Sequence, residues 1–405
     1  MQRRLDDADS GSAVYLLGLV DRLMTAGFAV NIVVSPAAGF GSIPVSRPAC
    51  AIAQRACRIV WPGSLRIGSV YISLRWRPWQ RAALRSLAHL VWVICGRTHL
   101  ARPAMPSLIG YTPTDKDTAK MVDAANALGS TIAVSEYSAL APVLARVEAP
   151  VRAVLLHDLF ALRAESFRKL GLAPDHRDVS LERELDWLGP ADLLLFASLS
   201  DQRALAPCLP EKRHIWLPPR VVPKKVAADG PLRAVFLGVR HGGNIDALDL
   251  LLTQVWPSVH NRLPDAELWI VGEIGASVQG RHAGVKVLGR VDDLTTIGGS
   301  RAVGLAPNRA VSGVSIKIAT YLELGMPVLA MRTAVEGYGH RLDEAVVLAE
   351  DEGEFTDRLM DLLSDSCQRE EAALQSVAAA RAKTLAAPEF ELFCADLIAK
   401  TRPDG

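Results

Sequence analysis

The stretch SGVSIKIATYLELGMPVLA, residues 312–330, places a lysine inside what reads as the first turn of a helix. A cation there opposes the positive end of the helix dipole and costs about a few tenths of a kcal/mol when nothing negative is near. A bound diphosphate reverses that sign. The backbone N–H groups of Ser312, Gly313, Val314 and Ser315 would then face the anion, Gly313 would allow close backbone approach, and Lys317 would supply a point charge. The other reading of Lys317 is a surface lysine on an amphipathic helix. The glycine turn before it and the Gly325-x-Pro327-Val328 sequence after it favour the anion site.

A second phosphate-facing candidate is LGVRHGGNIDAL, residues 237–248. Gly238 ends an expected strand, Gly242 and Gly243 relax the turn, and Asn244 is placed to cap a helix starting near Ile245. Arg240 would reach the diphosphate and stabilise charge on a leaving group without a metal. The alternative is a plain strand-to-helix connection. In VLLHDLFALR, residues 154–163, His157 and Asp158 close an expected buried strand, where an imidazole and a carboxylate are suited to proton transfer. They also fit a strand-end histidine and a helix cap.

These candidates need rigid elements to hold them, and the chain is long enough to supply them: 405 residues suffice for two or three domains. Lys plus Arg (45) nearly cancels Asp plus Glu (44), so no global field draws the protein to nucleic acid. The six cysteines, at 50, 57, 95, 208, 367 and 394, form neither a zinc spacing nor a disulfide framework. They read as mostly buried thiols in a reducing compartment. No metal or other cofactor is expected. The N-terminal MQRRLDDADSG turns acidic where a signal peptide would be apolar, and the longest apolar run, residues 86–96, is short of the ~20 residues that span a bilayer. The expected location is cytoplasmic.

Short β-branched runs alternate with helix-period segments, the pattern of parallel sheets covered by helices. Strands are expected at residues 28–34, 130–136, 151–158 and 191–198, then at 232–238, 266–272, 285–291, 302–307 and 327–331. Between the two sets, residues 216–231 are proline-rich and mark a linker. The expected division is a first domain over 1–218, a second over 219–385, and a C-terminal helix and tail over 386–405 that packs back on the first domain. Two such sheets imply a cleft holding the substrates. At the start, a helix is expected to follow Asp9 or Ser10, with Val14, Leu17, Val20 and Met24 on its apolar face and Gly27 as its stop. A helix of this kind normally follows a first strand, yet only MQRRL lies upstream, so either the start of the sequence lies too far downstream, or the N-terminal sheet lacks that member, or the fold begins with this helix.

The order of VFLGVRHGGNIDALDLLL, AELWIVGEIG, GVKVLGRVDDL and APNRAVSGVSIKIATYLELGMPVLA resembles the nucleotide-sugar domain of GT-B glycosyltransferases, in particular the group with a G-x-x-x-K-x-x-E-A-L-x-x-G-x-P-V segment. The resemblance covers about residues 232–350. LLHDLFALRAESF (residues 155–167) and LERELDWLGPADLLLFASLSD (181–201) are also similar, more loosely, to their counterparts in bacterial exopolysaccharide glucuronosyltransferases. The resemblance implies two Rossmann-like domains facing across a cleft, 1–218 binding the acceptor and 219–385 the nucleotide-sugar, and a metal-independent transfer of a hexosyl or glycuronosyl group from a nucleotide-diphosphate sugar to a saccharide or lipid-linked acceptor. It puts the base of the nucleotide near Val291, read by backbone, and makes Asp158 the base that takes the acceptor proton in an inverting transfer, with His157 orienting the acceptor or the leaving phosphate. It also marks departures. Where relatives carry a ribose-binding Glu this chain has Thr320, with Glu323 one turn further as a substitute, and Ser312 stands where many have the first Glu of a paired-carboxylate motif. Glu182 and Glu184 read as helix-surface charges, the alternative being that one of them faces the donor.

Residues 74–97 interleave Arg75, Arg77, Arg81, Arg85 and Arg97 with Trp76, Trp79 and Trp92. Such a segment suits either an interfacial helix on anionic lipid at the inner face of the plasma membrane or a core helix with a solvated basic face. Two further functions share the expected fold: a nucleotide-sugar epimerase with hydrolytic chemistry, and a non-catalytic subunit, for which Thr320 and the absent first strand speak.

Overall fold

The computed structural model describes residues 1, 4–6, 8, 10–36, 44–94, 110–226, 230–310, 312–382 and 385–401, with the side chains of 81, 85, 88–94, 400 and 401 excepted. The chain divides into two compact units, one made of Met1–Leu155, Glu182–Leu194 and Cys394–Gly405, the other of Leu156–Leu181 and Leu195–Phe393.

In the first unit the Gly11–Thr25 helix is followed by the strand Asn31–Val33, which pairs in parallel with Arg58–Val60. Among the described residues no strand precedes that helix. Ser10 occupies its N-cap and Gly27, at φ +98°, follows its end; Asp9 lies outside the described residues. The buried face is formed by Ala13, Tyr15, Leu19, Val20 and Leu23, so Val14 and Met24, expected inside, are exposed. An antiparallel sheet of Val45–Ser46, Val70–Ser73 and Ser64–Ile67 precedes the Trp76–Ile94 helix. The Ile132–Glu136 strand pairs in parallel with Val151–Leu156.

The second unit is built on a six-stranded parallel sheet of β1 (Arg233–Leu237), β2 (Glu267–Val271), β3 (Val285–Gly289), β4 (Ala302–Ala306), β5 (Val328–Met331) and β6 (Val347–Ala349). The strand order is β3-β2-β1-β4-β5-β6. Side chains alternate faces along β1: Ala234 and Phe236 join a core with Leu251, Trp256, Leu268 and Phe355, while Val235 faces Ile318, Tyr321, Val328 and Tyr338 on the other side. Both faces are covered, which explains the continuous hydrophobic runs. After β1 the chain enters the Gly242–Leu250 helix, which continues through a π-helical turn, Leu251–Val255, into Trp256–Arg262.

All nine strands expected from the sequence are present, each one to three residues shorter at one or both ends. The additional strands, such as Ser64–Ile67 and Val347–Ala349, are short and half exposed, and carry no long apolar signal. The cysteines depart from expectation. Cys50, Cys57, Cys208 and Cys367 are exposed and only Cys394 is buried, while Cys95 lies outside the described residues. Cys50 and Cys367 open helices rather than lie on their apolar stripes.

Candidate functional site

The strand order reverses direction at β1, with β2 on one side and β4 on the other. Open parallel sheets bind ligands beyond the carboxyl ends of the strands at such a point. Here the crevice is widened by a single side chain. The β1–β4 pairing runs from Arg233↔Ala302 to Val235↔Gly304 and stops. Beyond it the phenol of Tyr321 takes the place of backbone: its oxygen accepts from the Leu237 amide at 2.9 Å and lies 3.1 Å from the Val235 carbonyl and 3.2 Å from that of Leu305, to which it can donate. Burial pushes this phenol above its ordinary pKa, so it stays a donor. A Cβ at Gly304 would stand 2.5 Å from the ring, so only glycine admits the wedge.

Lys317 lies in the first turn of the Ile316–Glu323 helix, as the sequence predicts. Its ammonium donates to Asn244 Oδ1 at 2.8 Å and Asn308 Oδ1 at 2.9 Å, and sits 4.2 Å from the centroid of the Phe236 ring. One asparagine follows β1 and the other follows β4, so the lysine is held at the mouth of the crevice. The amides are themselves fixed. Asn244 Nδ2 donates to the Val239 carbonyl at 2.9 Å, and Asn308 Nδ2 to that of Gly243 at 3.0 Å. Asn244 is therefore not the cap expected of it. The helix begins at Gly242 with His241 in the cap position, one turn earlier than the sequence suggests, and Asn244 turns back to the loop. Gly238 is required for this, because a Cβ there would meet Asn244 Nδ2 at 2.8 Å. Two of the three ammonium protons are engaged by protein. Desolvation lowers the Lys317 pKa from 10.5 to about 7, against the two carbonyls and the ring, which favour the charged form.

The turn before the helix packs on the His157–Asp158 strand end. Gly313 has φ +76°, and a Cβ there would run into the carbonyl oxygen of His157 and stand 3.0 Å from the Asp158 Cβ. The Gly313 amide donates to Asp201 Oδ2 at 3.0 Å, Ser312 Oγ to the Leu159 carbonyl at 3.3 Å, and the Ser315 carbonyl accepts from Tyr338 at 2.8 Å. Asp201, in the first turn of the Leu199–Leu205 helix, is thus the anchor of the turn. The amides of Ile316 and Lys317 remain at the open end of their helix, with no intrahelical carbonyl one turn back. Val314 is half-buried against the core below.

His157 and Asp158 are both buried. Asp158 does not cap the Phe160–Lys169 helix, whose cap position is Leu159. Instead its Oδ2 accepts from Arg163 Nη1 at 2.6 Å, while its Oδ1 is buried with no hydrogen-bond partner. Arg163 also makes a two-pronged contact with Asp175, at 2.9 and 2.7 Å, and Asp175 Oδ2 accepts from the Gly242 amide at 3.1 Å. A continuous chain of charge-assisted bonds therefore joins Asp158 to the start of the helix behind the Gly238 loop. The Asp175 carboxyl is held below its usual range by Arg163 and by the bond from the Gly242 amide, against the opposing cost of burial. His241, 3.8 Å from Asp175, is pulled down to about 3 by burial and by the charges of Arg163 and Lys317, so its imidazole is neutral.

Other candidates fall elsewhere. Arg240 is exposed in the turn, and Val291 is half-buried against the core. Thr320 Oγ1 donates to the Ile316 carbonyl of its own helix at 3.2 Å. Glu323 accepts from the Val222 amide and pairs with Lys224 at 3.0 Å, on the linker side of the helix. Glu184, read as a surface charge, is fully buried and accepts from Ser138 Oγ at 2.6 Å. Among the described residues no cluster of three or more His, Cys, Asp or Glu side chains is placed to hold a metal. Sequence reasoning missed Asn308, Arg163, Asp175 and Asp201. Asn308, directly after the β4 run in AVGLAPNRA, is the one with a positional signal.

Residues 231–365 match the family model of glycosyl transferases group 1. No curated protein matches the chain by sequence. In structure it is similar to sucrose-phosphate synthase from Thermosynechococcus elongatus, with a TM-score of 0.59 and 13% identity over 99% of this chain and 95% of that one. It is also similar to the trehalose-6-phosphate synthase OtsA, at 0.58 and 14% over 97% and 95%, and to a UDP-forming α,α-trehalose-phosphate synthase from Burkholderia vietnamiensis, at 0.53 and 15% over 84% and 94%. The chain has the GT-B fold, and its sheet of β1 to β6 lies in the segment that matches group 1 glycosyl transferases.

Proposed function

We propose that this GT-B chain, with its group 1 glycosyl transferase segment at 231–365, transfers a hexosyl or glycuronosyl group from a nucleotide-diphosphate sugar to a saccharide or lipid-linked acceptor, without a metal, in the synthesis of a bacterial surface polysaccharide. The observation that carries the reading is Lys317, held between Asn244 and Asn308 where Tyr321 parts β1 from β4, with an N–H to spare. The diphosphate would lie over the open end of the Ile316–Glu323 helix, near the Ser312 to Ser315 turn and the Gly238 loop, with Arg240 reaching in from the turn and the base near Val291. Lys317 and the helix end then take up the negative charge that forms on the departing diphosphate, the part a metal would otherwise play.

In the inverting course the acceptor hydroxyl oxygen bonds to the anomeric carbon, the bond from that carbon to the diphosphate oxygen breaks, and the nucleoside diphosphate leaves with the electron pair. The hydroxyl proton passes to Asp158, whose Oδ1 carries no other partner, and His157 orients the acceptor. A second course is favoured by the neighbours, since trehalose-6-phosphate synthase is described as transferring with retention. There the leaving phosphate takes the proton and Asp158 is dispensable. A lipid-linked acceptor would bring the protein to the inner face of the plasma membrane.

The test is incubation of purified protein with a panel of nucleotide-sugars, UDP-sugars first, with and without saccharide acceptors. Nucleotide released only with acceptor supports transfer. Release without acceptor favours an epimerase or hydrolase, and absence of binding favours a non-catalytic subunit. The anomeric configuration of the product decides between the two courses.

A further inference from the structure

Residues 22–114 contain eleven arginines, no lysine and no aspartate or glutamate, in a chain of formal net charge +1. At the chain's average of 44 acidic residues in 405, about ten would be expected in such a span. The near-neutral total therefore conceals a strongly one-signed segment. Arg55 pairs with Asp21 and Arg75 with Asp117, both from outside the span. Arg47, Arg58, Arg66 and Arg77 are exposed.

Within this segment the Trp76–Ile94 helix turns the wrong face outward. Ala82 is buried, while Trp76, Trp79, Leu84 and Leu87 are exposed. On a spacing of ~100° per residue these four side chains fall within roughly 140° of one another. Leu74, just before the helix, is 68% exposed, Trp76 66%, Leu84 59% and Leu87 58%. Trp79 is pinned by a bond from its indole N–H to the Ser73 carbonyl at 2.8 Å, and the Arg77 guanidinium lies 6.0 Å over the Trp76 ring. The side chains of Arg81, Arg85 and Trp92, and all of Arg97, lie outside the described residues. No helix of the described chain is long and apolar enough to cross a membrane.

We propose that this face, Leu74, Trp76, Trp79, Leu84 and Leu87 with Arg77, docks on an anionic lipid bilayer. Leucines and indoles enter the boundary between headgroups and acyl chains, and Arg77 meets lipid phosphate. The charge pattern selects this occupant. A second copy of the chain would bring together two faces to which residues 22–114 contribute arginine and no carboxylate, which like-charge repulsion opposes. A nucleic acid would match the arginines but offers no hydrocarbon for three exposed leucines. The inference stands on this face alone and does not rest on the transferase reading.

The test is sedimentation of the full chain with phosphatidylcholine vesicles, with and without phosphatidylglycerol. Partition to the anionic vesicles, weakened by salt, is expected. Trp76→Ser combined with Leu87→Ser should reduce it by about tenfold or more, and Arg77→Glu should reduce both binding and its salt dependence. All three positions are exposed, and an unchanged melting temperature with an unchanged circular dichroism spectrum shows that the variants fold. The proposal is overturned by no partition to anionic vesicles at low salt, by partition indifferent to the substitutions, or by a concentration-dependent dimer that Trp76→Ser abolishes.

Discussion

Raising the pH from 6 to 8 should weaken binding of a nucleotide-sugar by about tenfold, and the reason is Lys317. Its pKa in the unliganded protein is about 7, because surrounding protein strips water from the ammonium. A diphosphate prefers the ammonium, so the lysine must be protonated in the complex. The apparent affinity then falls with the protonated fraction of the free protein, which is about 0.9 at pH 6 and about 0.09 at pH 8. A nucleotide-sugar serves better than a free nucleoside diphosphate, because a diphosphate esterified at both ends has no proton to lose in this range. His241 does not confuse the result, since its pKa of about 3 keeps it neutral throughout. The assay is titration calorimetry at several pH values in buffers of different ionisation enthalpy. It should show uptake of up to one proton per donor bound above pH 7. Lys317→Met should give weak, pH-independent binding, and Lys317→Arg a pH-independent affinity, because guanidinium does not titrate here. The linkage has the opposite sign for the unliganded fold. The folded pKa is depressed, so the unfolded chain binds more protons between about 7 and 10.5, the cost is fully present below 7, and stability rises with pH across that window. Wild-type affinity that is level from pH 6 to 8.5 with no proton uptake would refute the placement of this lysine against the donor.

Asp158→Asn should lower the transfer rate by about 100-fold or more while leaving donor affinity within a factor of about two, the range for loss of a general base; a fully active variant would exclude Asp158 and favour transfer with retention. Gly313→Ala forces a Cβ onto the His157 carbonyl at a φ of +76°, so it should reduce both donor affinity and turnover. Wild-type kinetics in that variant would show that the turn has no part in the site. Tyr321→Phe removes the buried hydroxyl that bridges β1 and β4 and leaves the half-buried Leu237 amide without its acceptor, costing about 1–3 kcal/mol in denaturant unfolding. An unchanged midpoint would mean that the strands close on each other without it.

The architecture was legible because its signal is redundant. The strands of the second unit are buried on both faces and read as unbroken apolar runs, and the glycine turns fall where the chain leaves them. Lys317 was legible for the opposite reason, as a residue that its own helix disfavours. The partners that hold it were not. Asn244 and Asn308 are 64 residues apart in sequence and meet only because β1 and β4 are neighbours. The clamp of Arg163 on Asp158 and Asp175 depends in the same way on the 156–181 segment folding back on itself, for which neither spacing nor periodicity gives a sign. The exposed cysteines and the buried Glu184 show the limit of residue-type averages, which hold for cores and fail where specific partners, Ser138 among them, hold a carboxylate inside.

The absence of a carboxylate at Thr320 has a structural counterpart. A glutamate at that position could reach past the helix toward a ribose, but the threonine hydroxyl is spent on the Ile316 carbonyl four residues back, and Glu323 is committed to Val222 and Lys224. Neither side chain is therefore poised to hold ribose hydroxyls from this helix. If the proposed donor binds here, its affinity must come from the diphosphate end, where Lys317, the open helix amides and the Gly238 loop converge. Donor recognition would then tolerate changes in the nucleoside more readily than loss of the phosphate charge. On that argument Lys317 is the dominant binding residue of the site, and competition by a series of nucleoside diphosphates at pH 6.5 should rank them within about tenfold of each other while the corresponding monophosphates bind far more weakly. A strong preference for one nucleoside would require a ribose or base contact that neither Thr320 nor Glu323 supplies.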